Sequence, residues 1–367
     1  MRLRPFSVGL ATPLDTARGR IAEREGFLVG TGPGDGDSAA PGLGEATPLP
    51  GWTESLSACE SALREVRDGD DDGLVGDALD RLDPAETPAA RHGLALALAD
   101  ASARGGGQSL AARLAAEHGL PTPAETVPVN ATVGDGDREA TAAAATRAVA
   151  EGFGCVKVKV GARPLDADVE RLRAVREAVG DAVAIRADAN GAWDLATARE
   201  ALDRLAPLDL AYVEQPLPAG DLDGAAALRG DRDGRERDGG GSEPSIPIAL
   251  DESLARRELD AVLEADAADV VVLKPMALGG PDRALAAAAT ARAAGVEPVI
   301  TTTIDAVVAR TAAVHVAAAV PDVAPCGLAT ASLLDDDLAP DPCPVADGEL
   351  LVPDGPGLAG DAFDGLP

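Results

Sequence analysis

From about residue 127 onward the chain alternates short apolar runs with amphipathic stretches, and this repetition limits its possible folds more than any other feature. Val127–Val133, Cys155–Val160, Ala182–Asp188, Leu210–Glu214, Ile248–Asp251, Val270–Lys274 and Glu297–Thr302 read as strands, with Ala324–Gly327 a short eighth. Helical spacing fills 137–151, 166–179, 195–205, 255–265, 281–294 and 305–319. Repeated β-α units require parallel strands joined by right-handed crossovers. Seven or eight of them within roughly 200 residues fit a closed barrel. An open doubly wound sheet is the alternative, but no Gly-x-Gly-x-x-Gly follows a strand to support it. Aromatics are only 2% of the chain, so Ala, Val and Leu must fill the core from many closely packed elements.

Residues 1–125 follow a different pattern. Phe6–Leu10 and Gly26–Gly30 look like short strands, 31–44 is a loop by composition, and helices are expected at 54–67 and 88–103. The chain thus divides into an α+β piece (1–125), a barrel (126–330) and a C-terminal tail (331–367). Residues 229–245 are charged, glycine-rich and poor in large apolar groups, which predicts a mobile surface loop.

Acidic residues number 62 against 32 basic ones, a net charge of −30. Such a field repels nucleic acid and anionic membranes. The runs around Asp68–Asp72 and Asp335–Asp337 are expected to be solvated surface. Acidic excess, scarce lysine and abundant alanine together suggest a halophilic protein from a salt-loaded cytoplasm. Cys59, Cys155, Cys326 and Cys343 form no Cys-x-x-Cys pair, which predicts reduced buried thiols and not a zinc site. The N-terminus lacks an apolar signal segment and no run is long enough to span a bilayer. A cytoplasmic location with no membrane partner is therefore expected; a homo-oligomer is compatible with the sequence. His315 lies in an alanine-rich helical stretch and is most simply a core residue.

Only three of the 32 basic residues are lysines: Lys157, Lys159 and Lys274. Arginine replaces lysine well in ion pairs, but it does not give up its proton near neutral pH. Lysines retained in so arginine-rich a chain point to proton transfer. They also end strands. Lys159, Asp188, Glu214, Asp251 and Lys274 terminate five successive strands at separations of 29, 26, 37 and 23 residues. Their strand bodies are apolar, and in a parallel barrel all these ends share the face on which barrels carry catalysis. Lys157, two residues before Lys159, points to the same side.

Three carboxylates in one pocket repel one another unless a cation joins them. An all-oxygen donor set favours Mg2+, with Mn2+ possible. A small-molecule carboxylate bound to such an ion would lie between two amines. The ion would stabilise the enediolate formed when the adjacent carbon loses its proton. An amine beside a cation and a second amine is more readily deprotonated and can act as the base. Asn190 is either a turn residue or a site contact, and Trp193 is expected to be packing.

Val156-Lys-Val-Lys-Val160, Arg186-Ala-Asp-Ala-Asn190, Val213-Glu-Gln-Pro216, Ala249-Leu-Asp-Glu-Ser253 and Leu273-Lys-Pro275 together resemble the enolase superfamily, in its muconate-lactonizing subgroup. Gly44–Gly51 and Gly19–Val29 are similar to that subgroup's capping segments. The resemblance covers nearly the whole chain. It implies a modified (β/α)7β TIM-type barrel with an N-terminal α+β capping domain, and a tail that packs back toward the cap. By the same resemblance Asp188, Glu214 and Asp251 would bind magnesium, Lys159 would be the general base supported by Lys157, and Lys274 would oppose it.

Ile300-Thr-Thr-Thr-Ile-Asp305 and Cys326-Gly-Leu-Ala-Thr330 resemble segments of the o-succinylbenzoate synthases of menaquinone biosynthesis. That likeness implies a lyase whose Lys159 takes a proton and returns it to the departing hydroxide, with Thr302 and Thr303 at the succinyl tail and Asn190 and Gly327 among the substrate contacts. Threonines stand where serines are common in some members, and the 229–245 insertion is extra. A muconate cycloisomerase, or an N-acylamino acid or dipeptide racemase-epimerase, is the alternative within the superfamily. The Asp-x-Asp pattern expected of dipeptide epimerases near the eighth strand is missing. A Schiff-base aldolase using Lys274 would leave three carboxylates without a task, and a non-catalytic binding protein predicts no magnesium affinity and no loss in Lys159→Ala.

Overall fold

The computed structural model describes residues 1–16, 19–32, 40–69, 78–233 and 246–366. Its first unit is an antiparallel sheet of β1 (Arg2–Thr16), β2 (Gly19–Thr31) and β3 (Gly42–Ala46), covered by helices α1 (Leu56–Asp68) and α2 (Pro88–Gly105), with α3 (Leu110–Glu117) packed beside α2. The strands of 6–10 and 26–30 are therefore parts of a much longer ribbon, paired from Arg2↔Gly30 to Thr16↔Gly19 with a register shift between Gly9 and Leu14. Gly42–Gly44, expected in a loop, pair with β2; residues 33–39 of that expectation fall outside the described residues. β3 lies so close to α2 that a side chain at Gly44 would run into the Gly93 carbonyl.

The barrel follows. In order come β4 (Thr126–Pro128), β5 (Ala131–Val133), α4 (Arg138–Ala150), β6 (Cys155–Lys159), α5 (Leu165–Val179), β7 (Ala184–Asp188), α6 (Leu195–Leu205), β8 (Tyr212–Glu214) and α7 (Leu222–Asp233). Next are β9 (Ile248–Leu250), α8 (Leu259–Glu264), β10 (Val270–Leu273), α9 (Pro275–Leu278), α10 (Pro281–Ala293), β11 (Glu297–Ile300) and α11 (Val307–Ala319). β5 to β11 form one parallel sheet in sequence order. The eighth position is no named strand. Two isolated parallel bridges, Thr301↔Gly327 and Val129↔Cys326, carry the sheet round to the start of the barrel.

The expected strand at 127–133 and the expected insertion at 229–245 also need correction. Val127–Val133 is not one strand. β4 pairs antiparallel with β13 (Glu349–Leu351), itself paired with β12 (Val345–Ala346), and only β5 enters the barrel. The front of the 229–245 insertion is helical, as the end of α7. Arg229 is tied there to Asp269 and Asp266, two acidic partners that offset its lack of apolar burial. Residues 234–245 fall outside the described residues.

α11 is buried along its whole length, between the barrel and the cap elements. Ala and Val make this possible, because small side chains let backbones approach without voids. His315 is buried in it; its Nδ1 accepts from Ala111 N (3.3 Å) and its Nε2 donates to Leu358 O (2.6 Å), joining helix, α3 and tail. Asp337 is not plain solvated surface: it accepts from Val307 N and pairs with Arg310, capping α11. Asp335 and Asp336 are exposed, and Asp70–Asp72 lie outside the described residues. All four cysteines are free and buried. Among the described residues, no helix is long and apolar enough to cross a membrane.

Candidate active site

The ends of β6 to β10 build one pocket. Its floor is a layer of Tyr212, Ala249, Val270 and Val299, with Ala324 packed against it. Arg186 lies with its guanidinium 4.6 Å from the Tyr212 ring centroid and donates to Asn130 Oδ1 (3.1 Å) and Pro325 O (2.6 Å). Arg186, Tyr212 and Ala249 each precede a pocket carboxylate by two residues. The period of two along a strand therefore stacks Asp188, Glu214 and Asp251 directly above the floor.

All three lysines of the chain are in this pocket, and each meets a carboxylate. Lys157 Nζ donates to both oxygens of Glu214 (3.0 and 3.1 Å) and lies 3.3 Å from Asp188. Lys159 Nζ donates to Asp188 Oδ2 (2.6 Å) and Asn190 Oδ1 (2.9 Å). Lys274 Nζ donates to both oxygens of Asp251 (2.5 and 2.7 Å). The Lys159 side chain is 34% exposed, against 15% for Lys157 and 8% for Lys274, so Lys159 is the amine most open to an entering molecule.

The surrounding chain fixes these ends. Buried Arg171 donates to the Lys159 carbonyl (2.9 Å) and to Asp168 (2.7 Å), whose other oxygen accepts from Gly161 N. Gln215 Oε1 accepts from Asp251 N (3.0 Å) and Ser253 N (3.1 Å), coupling the end of β8 to that of β9. Asn190, Gln215 and Ile304 hold positive φ angles of 45°, 40° and 61° just beyond their strands, a conformation costly for such side chains unless their surroundings enforce it. Asn190 is both turn and site residue: its Nδ2 donates to Glu252 Oε1 (2.9 Å) while its Oδ1 receives Lys159. Thr302 is near Thr330 Oγ1 (3.3 Å) and accepts from Ile304 N; Thr303 donates to Asp305; Gly327 bridges Thr301. Trp193 is packed in the core.

Burial pushes Glu214 up to about 7, against the pull of Lys157 and with Asp188 and Asp251 adding to it. Asp251 is likewise raised by burial, which outweighs Lys274. Burial opposes ionisation of Asp188 too, but Lys157 and Lys159 prevail and hold it below the usual range. Lys157 is disfavoured as a cation by burial, yet Glu214 and Asp188 raise it well above normal.

Three carboxyl groups thus face three lysine side chains, one for one. Among the described residues, no three His, Cys, Asp or Glu side chains converge closely enough to hold an ion as they lie, because each pocket carboxylate is turned to an ammonium. The donor set still fits a hard dication: three buried carboxylates on adjacent strand ends, no sulfur or imidazole, and mutual repulsion that a cation would relieve.

Sequence reading missed Trp52. This cap residue lays its ring on Lys274 Nζ, 3.3 Å from centroid to nitrogen. Glu252, whose Oε1 accepts from Asn190, stands out in the sequence only by its adjacency to the strand-end carboxylate Asp251.

Comparison with known proteins gives a consistent result. A model of the family described as "Enolase C-terminal domain-like" matches residues 140–361. The o-succinylbenzoate synthase of Thermobifida fusca is 40% identical over 65% of this chain and 70% of its own length. A chloromuconate cycloisomerase, CbnB of Cupriavidus necator, is 29% identical over 98% of this chain and 92% of its own length. A dipeptide epimerase from Methylococcus capsulatus, solved in complex with Mg and the dipeptide L-Arg-D-Lys, superimposes with a TM-score of 0.79. It is 28% identical, with 98% of each chain covered.

Proposed function

Because the chain belongs to the enolase C-terminal domain-like family of enzymes, we propose that it abstracts the proton next to a carboxylate of a small molecule. Specifically, we propose dehydration of 2-succinyl-6-hydroxy-2,4-cyclohexadiene-1-carboxylate to o-succinylbenzoate. The observation that carries the chemistry is that the only three lysines of the chain face three buried carboxylates in one pocket. The likeness to the Thermobifida synthase supports the substrate.

Asp188, Glu214 and Asp251 would hold Mg2+, and a bound ion would draw off the charge that builds on the substrate carboxylate. Lys159, as the neutral amine, takes the proton from the carbon next to that carboxylate. The carbon–oxygen bond then breaks, and Lys159 returns the proton to the departing hydroxide on the same face, so that one water leaves. Lys157 stays between Glu214 and Asp188. Lys274 faces the developing negative charge as a cation. In this proposal residues 1–125 cap the pocket, 126–330 carry the chemistry, and 331–367 tie the barrel to the cap. Asn190 orients Lys159, while Thr302, Thr303 and Gly327 border the succinyl end.

The test is dehydration of that substrate in molar KCl with Mg2+. Wild type should form succinylbenzoate, and Lys159→Ala should lose about 10³-fold or more. No turnover by folded wild type would refute the substrate assignment. The opposed positions of Lys159 and Lys274 would then favour a second reading, racemisation, read as solvent deuterium entering N-acylamino acids.

A further inference from the structure

The cap reaches the chemistry through one side chain. Trp52 lies in the turn between β3 and α1, and its ring covers the Lys274 ammonium that also donates to Asp251. The turn is stiff. Leu49 O accepts from Trp52 N and Thr53 N (both 2.9 Å), Leu49 N donates to Thr53 Oγ1 (2.8 Å), and Gly51 has a φ of 107° that suits glycine alone. Two residues on, the Glu54 carboxylate accepts from Ala89 N (3.0 Å) and Ala90 N (2.8 Å), the free amides that open α2.

The same helix grips the other partner. Arg91, next in α2, donates to Gly279 O and pairs with Asp282 (3.0 Å), just past the short helix that Lys274 begins. Met276, two residues after Lys274, is buried in the cap's own core with Phe27, Val29, Cys59 and Leu94. Tryptophan and lysine are therefore carried on one frame, braced by contacts that involve neither side chain. A buried ammonium needs such bracing. Asp251 belongs to the proposed metal-holding set, and a carboxylate turned toward an ion is no longer free to hold Lys274. The indole face remains, and an aromatic face stabilises a desolvated ammonium.

We infer that Trp52 is a positioning residue for Lys274: the cap contributes to the reaction by fixing the opposing lysine in place. The inference rests on the proposed use of Lys274 as an electrostatic partner. The test exploits the lysine count. Protein labelled with [ε-13C]lysine gives three side-chain signals, and Lys274→Arg identifies one of them. The Lys274 signal should be displaced upfield by the indole ring current. The displacement should persist when MgCl2 is added, shrink in Trp52→Phe and vanish in Trp52→Leu. In the dehydration assay Trp52→Leu should lower kcat by about thirtyfold, the worth of a desolvated cation–π contact, with KM within about twofold. Trp52→Phe should recover most of the rate. Loss of the displacement in wild type on adding Mg2+, or an unchanged kcat in Trp52→Leu, would overturn the inference. If wild type fails to dehydrate the succinyl substrate, the assigned reaction falls, while the Mg2+ titration of the Lys274 signal still decides the contact.

Discussion

Glu45 offers the sharpest test of the energetics, because it joins cap to barrel entirely in the interior. It is fully buried at the end of β3. One carboxylate oxygen accepts from Ala306 N (2.9 Å) and the other from Ala309 N (2.8 Å), amides at the start of α11; Thr47 also donates to it. Glu45→Ala would leave two buried N–H groups without partners and should cost about 3 to 5 kcal/mol. The pH dependence is more diagnostic. Burial, reinforced by Asp305, outweighs these hydrogen bonds and raises the Glu45 carboxyl from 4.5 to about 7. A group with a raised folded pKa contributes its full stability below its unfolded value, and loses it as pH rises through the folded one. At about 1.4 kcal/mol per unit, the loss between pH 4.5 and pH 7 is roughly 3 kcal/mol. Glu45→Gln is permanently neutral and lacks this loss. Denaturant unfolding of both proteins at constant molar KCl, from pH 5 to 8, should show wild type losing stability relative to the variant as pH rises. Parallel curves would refute the argument that burial governs this carboxylate.

Two further outcomes are expected. Lys157→Met removes the ammonium that occupies Glu214 and approaches Asp188, so Mg2+ should bind more tightly by calorimetry while dehydration falls; weaker binding would contradict the competition inferred between lysine and metal. A net charge of −30 should make the thermal midpoint rise steadily with KCl, and full stability at low salt would count against a salt-adapted surface.

The barrel was legible because its strands are buried on both faces, so a charge at a strand end has no reason to be there but the pocket. The cap was less legible. β1 and β2 run on as a two-stranded ribbon with much exposed surface, where Gly9-Leu-Ala-Thr-Pro13 gives no alternating signal. The break at Asn130, between β4 and β5, depends on β13 arriving from the far end of the chain. The hold of Trp52 on Lys274 and that of Glu45 on α11 are likewise long-range contacts, which no local pattern encodes. The helical start of the insertion was missed because an ion pair, not apolar burial, secures Arg229.

That all three lysines lie in the pocket also sets how this protein can be handled. Outside that pocket the sequence places no lysine amine. Amine-directed dyes, crosslinkers and resins that seek lysine therefore meet it at this pocket alone. Lys159, the most open of the three, would be modified first. Reagents that decorate an ordinary protein harmlessly would here label the pocket, and a tether meant for the surface would cover it.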